Sequence, residues 1–111
     1  MMQDLQTVIQ YKHWDMIATH NPEGEYGHIH HKMTSANVTQ ITQQLNQFSQ
    51  LYYFGTFYKP DAIPSEVQVN LSQAQIDRKR SALNLYTSQL TAINKKWAQM
   101  IPYEYWRKAS E

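Results

Sequence analysis

A chain of 111 residues has room for one core, and its 17% of charged residues falls below the roughly 25% of ordinary soluble domains, so neutral Gln, Asn, Ser and Thr carry most of its solvation. A formal net charge of +1 excludes a global field that would hold nucleic acid, and the lack of cysteine excludes disulfides, thiolate zinc sites and cysteine nucleophiles. No apolar run approaches the 18 to 20 or so residues needed to span a bilayer, and the opening MMQDLQTV lacks the basic and apolar regions of a secretory leader, so a cytoplasmic protein without membrane contact is expected.

The first predicted element is an amphipathic helix within residues 1–19. Met2, Leu5, Ile9, Met16 and Ile17 fall at three-, four- and seven-residue steps, and Asp4 suits the positive end of the helix dipole. A strand from Thr7 to Trp14 is the competing reading, because Val, Ile, Tyr and Trp favour one. Asn21-Pro22-Glu23-Gly24 ends whichever forms. Residues 20–34 then read as a His-rich loop, with Glu25 to Met33 as an ordered or extended segment that shows no period.

Thr34, Ser35 and Asn37 offer N-cap oxygens to a second helix, predicted over residues 36–53, on which Val38, Ile41, Leu45, Phe48 and Tyr52 keep a seven-residue rhythm and after which Gly55 suits the stop. Residues 54–71 form a packed connection. Gly55, Pro60 and Pro64 break helices there, while Phe54, Phe57, Tyr58 and Ile63 need cover. Val67, Val69 and Leu71 alternate with Gln68 and Asn70 as a strand would, although Ser65 and Gln68 also read as the cap of an earlier helix start.

Residues 72–101 carry the strongest pattern. Ile76, Leu83, Leu90 and Trp97 recur every seven residues, with Lys79, Tyr86, Ile93 and Met100 at the other heptad position, which predicts one long helix. Ser72 with Gln75 makes a capping box at its start, and Pro102 stops it. Such a rod would span roughly 43 Å at about 1.5 Å per residue and would need a groove to lie in. The aromatic tail, residues 102–111, is expected to dock a ring of Tyr103, Tyr105 or Trp106 on a neighbour. The predicted fold is therefore a single, mainly α domain: an antiparallel helical hairpin or three-helix bundle with one long C-terminal helix, with room for a short β-hairpin or extended segment.

Two constellations bear on function. Interface candidates are Tyr86, Trp97, Tyr103, Tyr105 and Trp106, with Arg78 and Arg80, and together with the long seam they point to a non-enzymatic module that binds another protein or a second copy of itself: an adaptor, inhibitor, immunity-type or assembly factor. The alternative is a metal-binding protein or metal-dependent enzyme built on His13, His20, His28, His30 and His31, since imidazoles and carboxylates are the ligands of a thiolate-free divalent transition-metal site. On an extended segment His28 and His30 share a face and His31 points away, so the ligands would be His28 and His30 with His13, Asp15 or His20. No HExxH or EF-hand series is present, and Glu23 and Glu25 beside Gly24 read as a solvated turn. The basic clusters Arg78-Lys79-Arg80, Lys95-Lys96 and Arg107-Lys108 admit a nucleic-acid accessory role as a third reading, against which a separated set of charges on a +1 chain argues. No catalytic elbow or phosphate loop is visible among three glycines.

Overall fold

A buried glutamine fixes where the first helix stops. In the computed structural model, which describes residues 1–111, helix α1 runs Met2–Gln10 and not to residue 19. Gln47, 5% exposed, donates through Nε2 to the carbonyls of Ile9 at 2.8 Å and Lys12 at 3.2 Å, and its Oε1 accepts the Trp14 N–H at 2.9 Å. The Trp14 indole donates to Ile9 O at 3.1 Å. Terminal carbonyls that would otherwise be orphaned are thus claimed by side chains, and the chain is released into strand β1, Ile17–Thr19. The competing strand over Thr7–Trp14 does not form.

The chain folds as two compact units, Met1–Thr56 with Tyr105–Glu111, and Phe57–Glu104. In the first, the one-turn helix α2, Gly24–Gly27, leads into α3, Ile29–Gln44, which starts seven residues before the predicted 36. His28 is its N-cap: the ring Nδ1 accepts the His30 N–H at 3.2 Å. Thr34, expected as a cap, lies inside the helix and donates to His30 O at 2.9 Å. The far end also departs from expectation. Asn46 adopts φ 57°, the left-handed conformation that ends helices, and after a 3-10 turn the run Leu51–Phe54 forms strand β2 where residue 53 was to close a helix. The β-favouring Leu-Tyr-Tyr-Phe is held there by partners on both sides.

β2 is central in a three-stranded mixed sheet of order β1-β2-β3. It pairs parallel with β1, Ile17 opposite Leu51 and Thr19 opposite Tyr53, and antiparallel with β3, Trp106–Lys108, Phe54 opposite Trp106. The aromatic tail thus becomes an edge strand. Trp106 packs edge-on to Phe54, ring centroids 5.1 Å apart, and Tyr105 lies so close over Gly55 that a Cβ there would meet its ring at 2.5 Å. Gly55 serves that close approach and not a helix end. α3 crosses from β1 to β2 and covers the sheet with Val38 and Ile41, which join Ile9, Leu51 and Tyr53 in the core; Leu5, Ile17, Leu45, Phe48 and Ala109 pack around it.

The second unit overturns the long helix. Residues 72–101 break into α4, Gln73–Leu83, a 3-10 turn at Thr87–Gln89, the single turn α5, Leu90–Ala92, a π-helical turn at Ile93–Trp97 and a 3-10 turn at Ala98–Met100. The capping box is present: Gln75 N–H donates to Ser72 Oγ at 3.3 Å and Ser72 N–H to Gln75 Oε1 at 2.9 Å. The break falls at Asn84-Leu85-Tyr86, where Asn84 and Tyr86 are weak helix formers and the apolar residues find no cover, Leu85 being 80% and Tyr86 62% exposed. Ile93 and Ile101 are the apolar residues this unit buries. Lys79, the residue that interrupts the seam, donates to Tyr103 O at 2.8 Å and pairs with Glu104 at 2.7 Å. The strand suggested at Val67–Leu71 is absent, and Val69 is exposed. The molecule is a mixed α/β fold, and the mainly α bundle expectation is withdrawn.

Candidate metal site

The turn after β1 builds the site. Asn21, 3% exposed, donates through Nδ2 to Phe54 O at 3.0 Å, and its Oδ1 accepts the Glu25 N–H at 2.9 Å. The loop is thereby tied to the end of the central strand. Gly24 N–H closes the turn on Asn21 O at 2.9 Å, and Gly24 at φ 73° lies where an added Cβ would meet Lys32 Cγ at 3.0 Å. Glu25 itself sits at φ 59°, ψ −54°, a conformation that costs a non-glycine residue free energy and that persists because Asn21 holds its amide.

That strained backbone presents the Glu25 carboxylate between two imidazoles. Oε1 lies 2.6 Å from His20 Nδ1 and Oε2 lies 3.3 Å from His31 Nδ1. The side chains are 31%, 11% and 26% exposed for His20, Glu25 and His31, so the carboxylate is the most enclosed of the three. The rings of His20 and His31 stack 3.8 Å apart at 12°, His28 stacks on the other partner, His31, at 4.4 Å, and Phe54 meets His20 edge-on at 5.4 Å. One ligand atom from each of His20, Glu25 and His31 falls within 4.8 Å of the others. Tetrahedral zinc, with bonds of about 2.0–2.1 Å, holds its ligand atoms about 3.4 Å apart, so the set is close to binding distance. Rings 12° from parallel do not aim their lone pairs at one point, so binding requires one imidazole to turn out of the stack.

The structure groups the histidines differently from the extended segment expected. Because the segment is helical from Ile29, His28 and His31 lie one turn apart and stack, while His28 and His30 meet edge-on with ring centroids 5.4 Å apart and are not in the group whose ligand atoms converge. His30 is exposed, His28 uses its Nδ1 as the helix cap, and His13 and Asp15 are exposed in the turn before β1. His20 stays in the set, and Glu25 and His31 enter it. The missed signal was the turn: Asn-Pro-Glu-Gly folds the chain back so that His20 and Glu25, five apart, meet.

The interface candidates are divided between the units. Tyr86, Trp97, Tyr103, Arg78 and Arg80 belong to Phe57–Glu104, and Tyr105 and Trp106 to the other unit. Tyr86, Arg78 and Arg80 are exposed, while Trp97 and Tyr103 are half-buried. Two of the three basic clusters spend a cation internally, Lys79 on Glu104 and Arg107 on Glu23 at 3.1 Å. No helix is long and apolar enough to cross a membrane. Compared with known protein families, with curated proteins and with solved structures, the chain matches none.

Proposed function

We propose that the protein is a small metal-binding protein that holds one divalent transition ion, zinc foremost, on His20, Glu25 and His31. The observation that supports this reading is the convergence within 4.8 Å of ligand atoms from His20, from Glu25 on a strained turn whose amide is fixed by a buried asparagine, and from His31 in the first turn of α3. Two imidazoles and a carboxylate form a thiolate-free set suited to zinc, nickel or iron, and three protein ligands leave a position for solvent. His20 and His31 supply neutral nitrogen donors. Glu25 supplies the anionic oxygen; without metal its carboxylate holds both rings by hydrogen bonds, which give way as the ion binds. Phe54 limits water on one side of His20.

Calorimetric titration of untagged protein with zinc chloride tests this directly. One equivalent should bind, and His20→Ala, Glu25→Gln and His31→Ala should each weaken binding at least tenfold, the lower end of what even supporting residues cost in known sites. His13→Ala and His30→Ala should leave it unchanged. No heat of binding, or loss with His30→Ala alone, would overturn the assignment.

Self-association is a second reading, now without the long seam. It is favoured by an apolar groove of about 180 Å³ lined by Val8, Ile9, Trp14, Met16 and Ile17 beside β1, an edge strand of the sheet. Sedimentation of the wild type should show a dimer that Met16→Asp dissociates, and a monomer at every concentration would dispose of it.

A further inference from the structure

A separate cleft runs along α3. Residues 32, 35, 36, 39, 40 and 43 line it, with Pro22 and Tyr53 opposite, enclosing a volume of about 260 Å³. Their spacing is the i, i+3, i+4, i+7 stripe with which an amphipathic helix ordinarily meets the core, yet it carries an ammonium, two hydroxyls and two carboxamides. No acid lines it, and Lys32 forms no ion pair. Thr39 Oγ1 and Tyr53 OH share one hydrogen bond at 2.7 Å, which leaves the pair one proton and free lone pairs to offer.

Ser35 adds an independent observation. The residue is 1% exposed and its Oγ has no hydrogen-bond partner, whereas Thr42, equally buried on the same helix, satisfies its hydroxyl on Val38 O at 2.9 Å. Buried hydroxyls are nearly always paired, and Ser35 Oγ, beside this cleft and without a partner in the chain, is left to pair with a group that enters the cleft.

We infer that this cleft binds a small hydroxylated carboxylate, a sugar acid in its chemistry. The ligand carboxylate pairs with Lys32. The amide oxygens of Gln40 and Gln43 and the lone pairs of Thr39 and Tyr53 accept from its hydroxyls, and rotation of Ser35 about χ1 brings the orphan hydroxyl to the ligand. A bare phosphate satisfies the ammonium but brings only one or two hydroxyls, too few for the acceptors along the cleft. The volume, below the roughly 300–1,000 Å³ of drug-sized pockets, limits the occupant to a single small molecule. The cleft does not depend on the metal reading, since none of its lining residues belongs to the His20, Glu25 and His31 set.

Amide-detected NMR titration of the full chain, stripped of metal by chelator and then dialysed, tests the inference with sodium D-gluconate as probe. Saturable shifts should gather on residues 32–43 and at Tyr53, glucose and inorganic phosphate should each bind at least tenfold more weakly, and Lys32→Met, an exposed position that leaves the fold intact, should weaken gluconate at least tenfold. Ser35→Ala, folded as judged by its unchanged spectrum outside the cleft, should also weaken it. Absence of saturable shifts, equal binding of phosphate, or shifts centred on His20 and His31 would each overturn the proposal, and none of these outcomes bears on whether zinc binds.

Discussion

Residues 1–56 with 105–111 bury Ile9, Val38, Ile41, Leu51 and Tyr53 in one cluster between a helix and a sheet, whereas residues 57–104 bury Ile93 and Ile101 and are otherwise fastened by polar clamps. In the second unit, Asn70 accepts the Glu104 N–H at 2.8 Å and donates to its carbonyl, Lys79 grips Tyr103 O and Glu104, and Gln99 reaches Tyr58 O at 2.9 Å. Side chains of this kind contribute little each when half in water, and apolar burial contributes most of the stability of a small unit. The contrast explains where a site with fixed geometry is found. A strained Glu25 needs a rigid support, and the first unit supplies one in the end of β2, to which Asn21 is bonded.

The largest expected effect probes that support. Ile41→Ala, at a side chain 1% exposed, should destabilise the first unit by about 2–5 kcal/mol, read by urea denaturation followed through amide NMR signals of α3 and β2, and should abolish zinc binding with it. Asn21→Ala should cost about 1–3 kcal/mol, because it leaves the Phe54 carbonyl and the Glu25 amide without their partner, and should weaken zinc at least tenfold although no ligand is touched. Lys79→Met should cost less than about 1 kcal/mol, since the pair with Glu104 is 31% and 42% exposed on its two sides and screened by solvent. Amide exchange should show the second unit opening at lower free energy than α3 and β2, and equal protection of both would break the comparison. Tyr86→Ala should change stability by no more than about 0.5 kcal/mol, a result opposite to that expected of a residue in a buried seam.

How much of this was legible follows from the range of the interactions involved. The capping box at Ser72 and Gln75, the turn at Asn21-Pro22-Glu23-Gly24 and the apolar face of Val38, Ile41, Leu45 and Phe48 are local, and all are visible in sequence. The sheet is not local. Its strands are three and four residues long, too short for alternation to register, and β1 meets β2 across the whole of α3. The seam of 72–101 misled because a heptad stripe states only what a helix would bury if a partner lay alongside. Without one, Asn84, Leu85 and Tyr86 let the helix end. The candidate site was half legible. The histidine run is plain in sequence, but which members converge depends on the helix starting at Ile29, and Glu25 joins them only through a backbone conformation that sequence disfavours.

The most direct test of the central claim reads the imidazoles themselves, by long-range ¹H–¹⁵N correlation of the five histidines as one equivalent of zinc is added to untagged protein. Ring nitrogens of His20 and His31 should shift, with His13 and His30 unmoved and His28 disturbed only through the stack it shares with His31. No change at His20 and His31, or coordination by His28 and His30 in their place, would contradict the account.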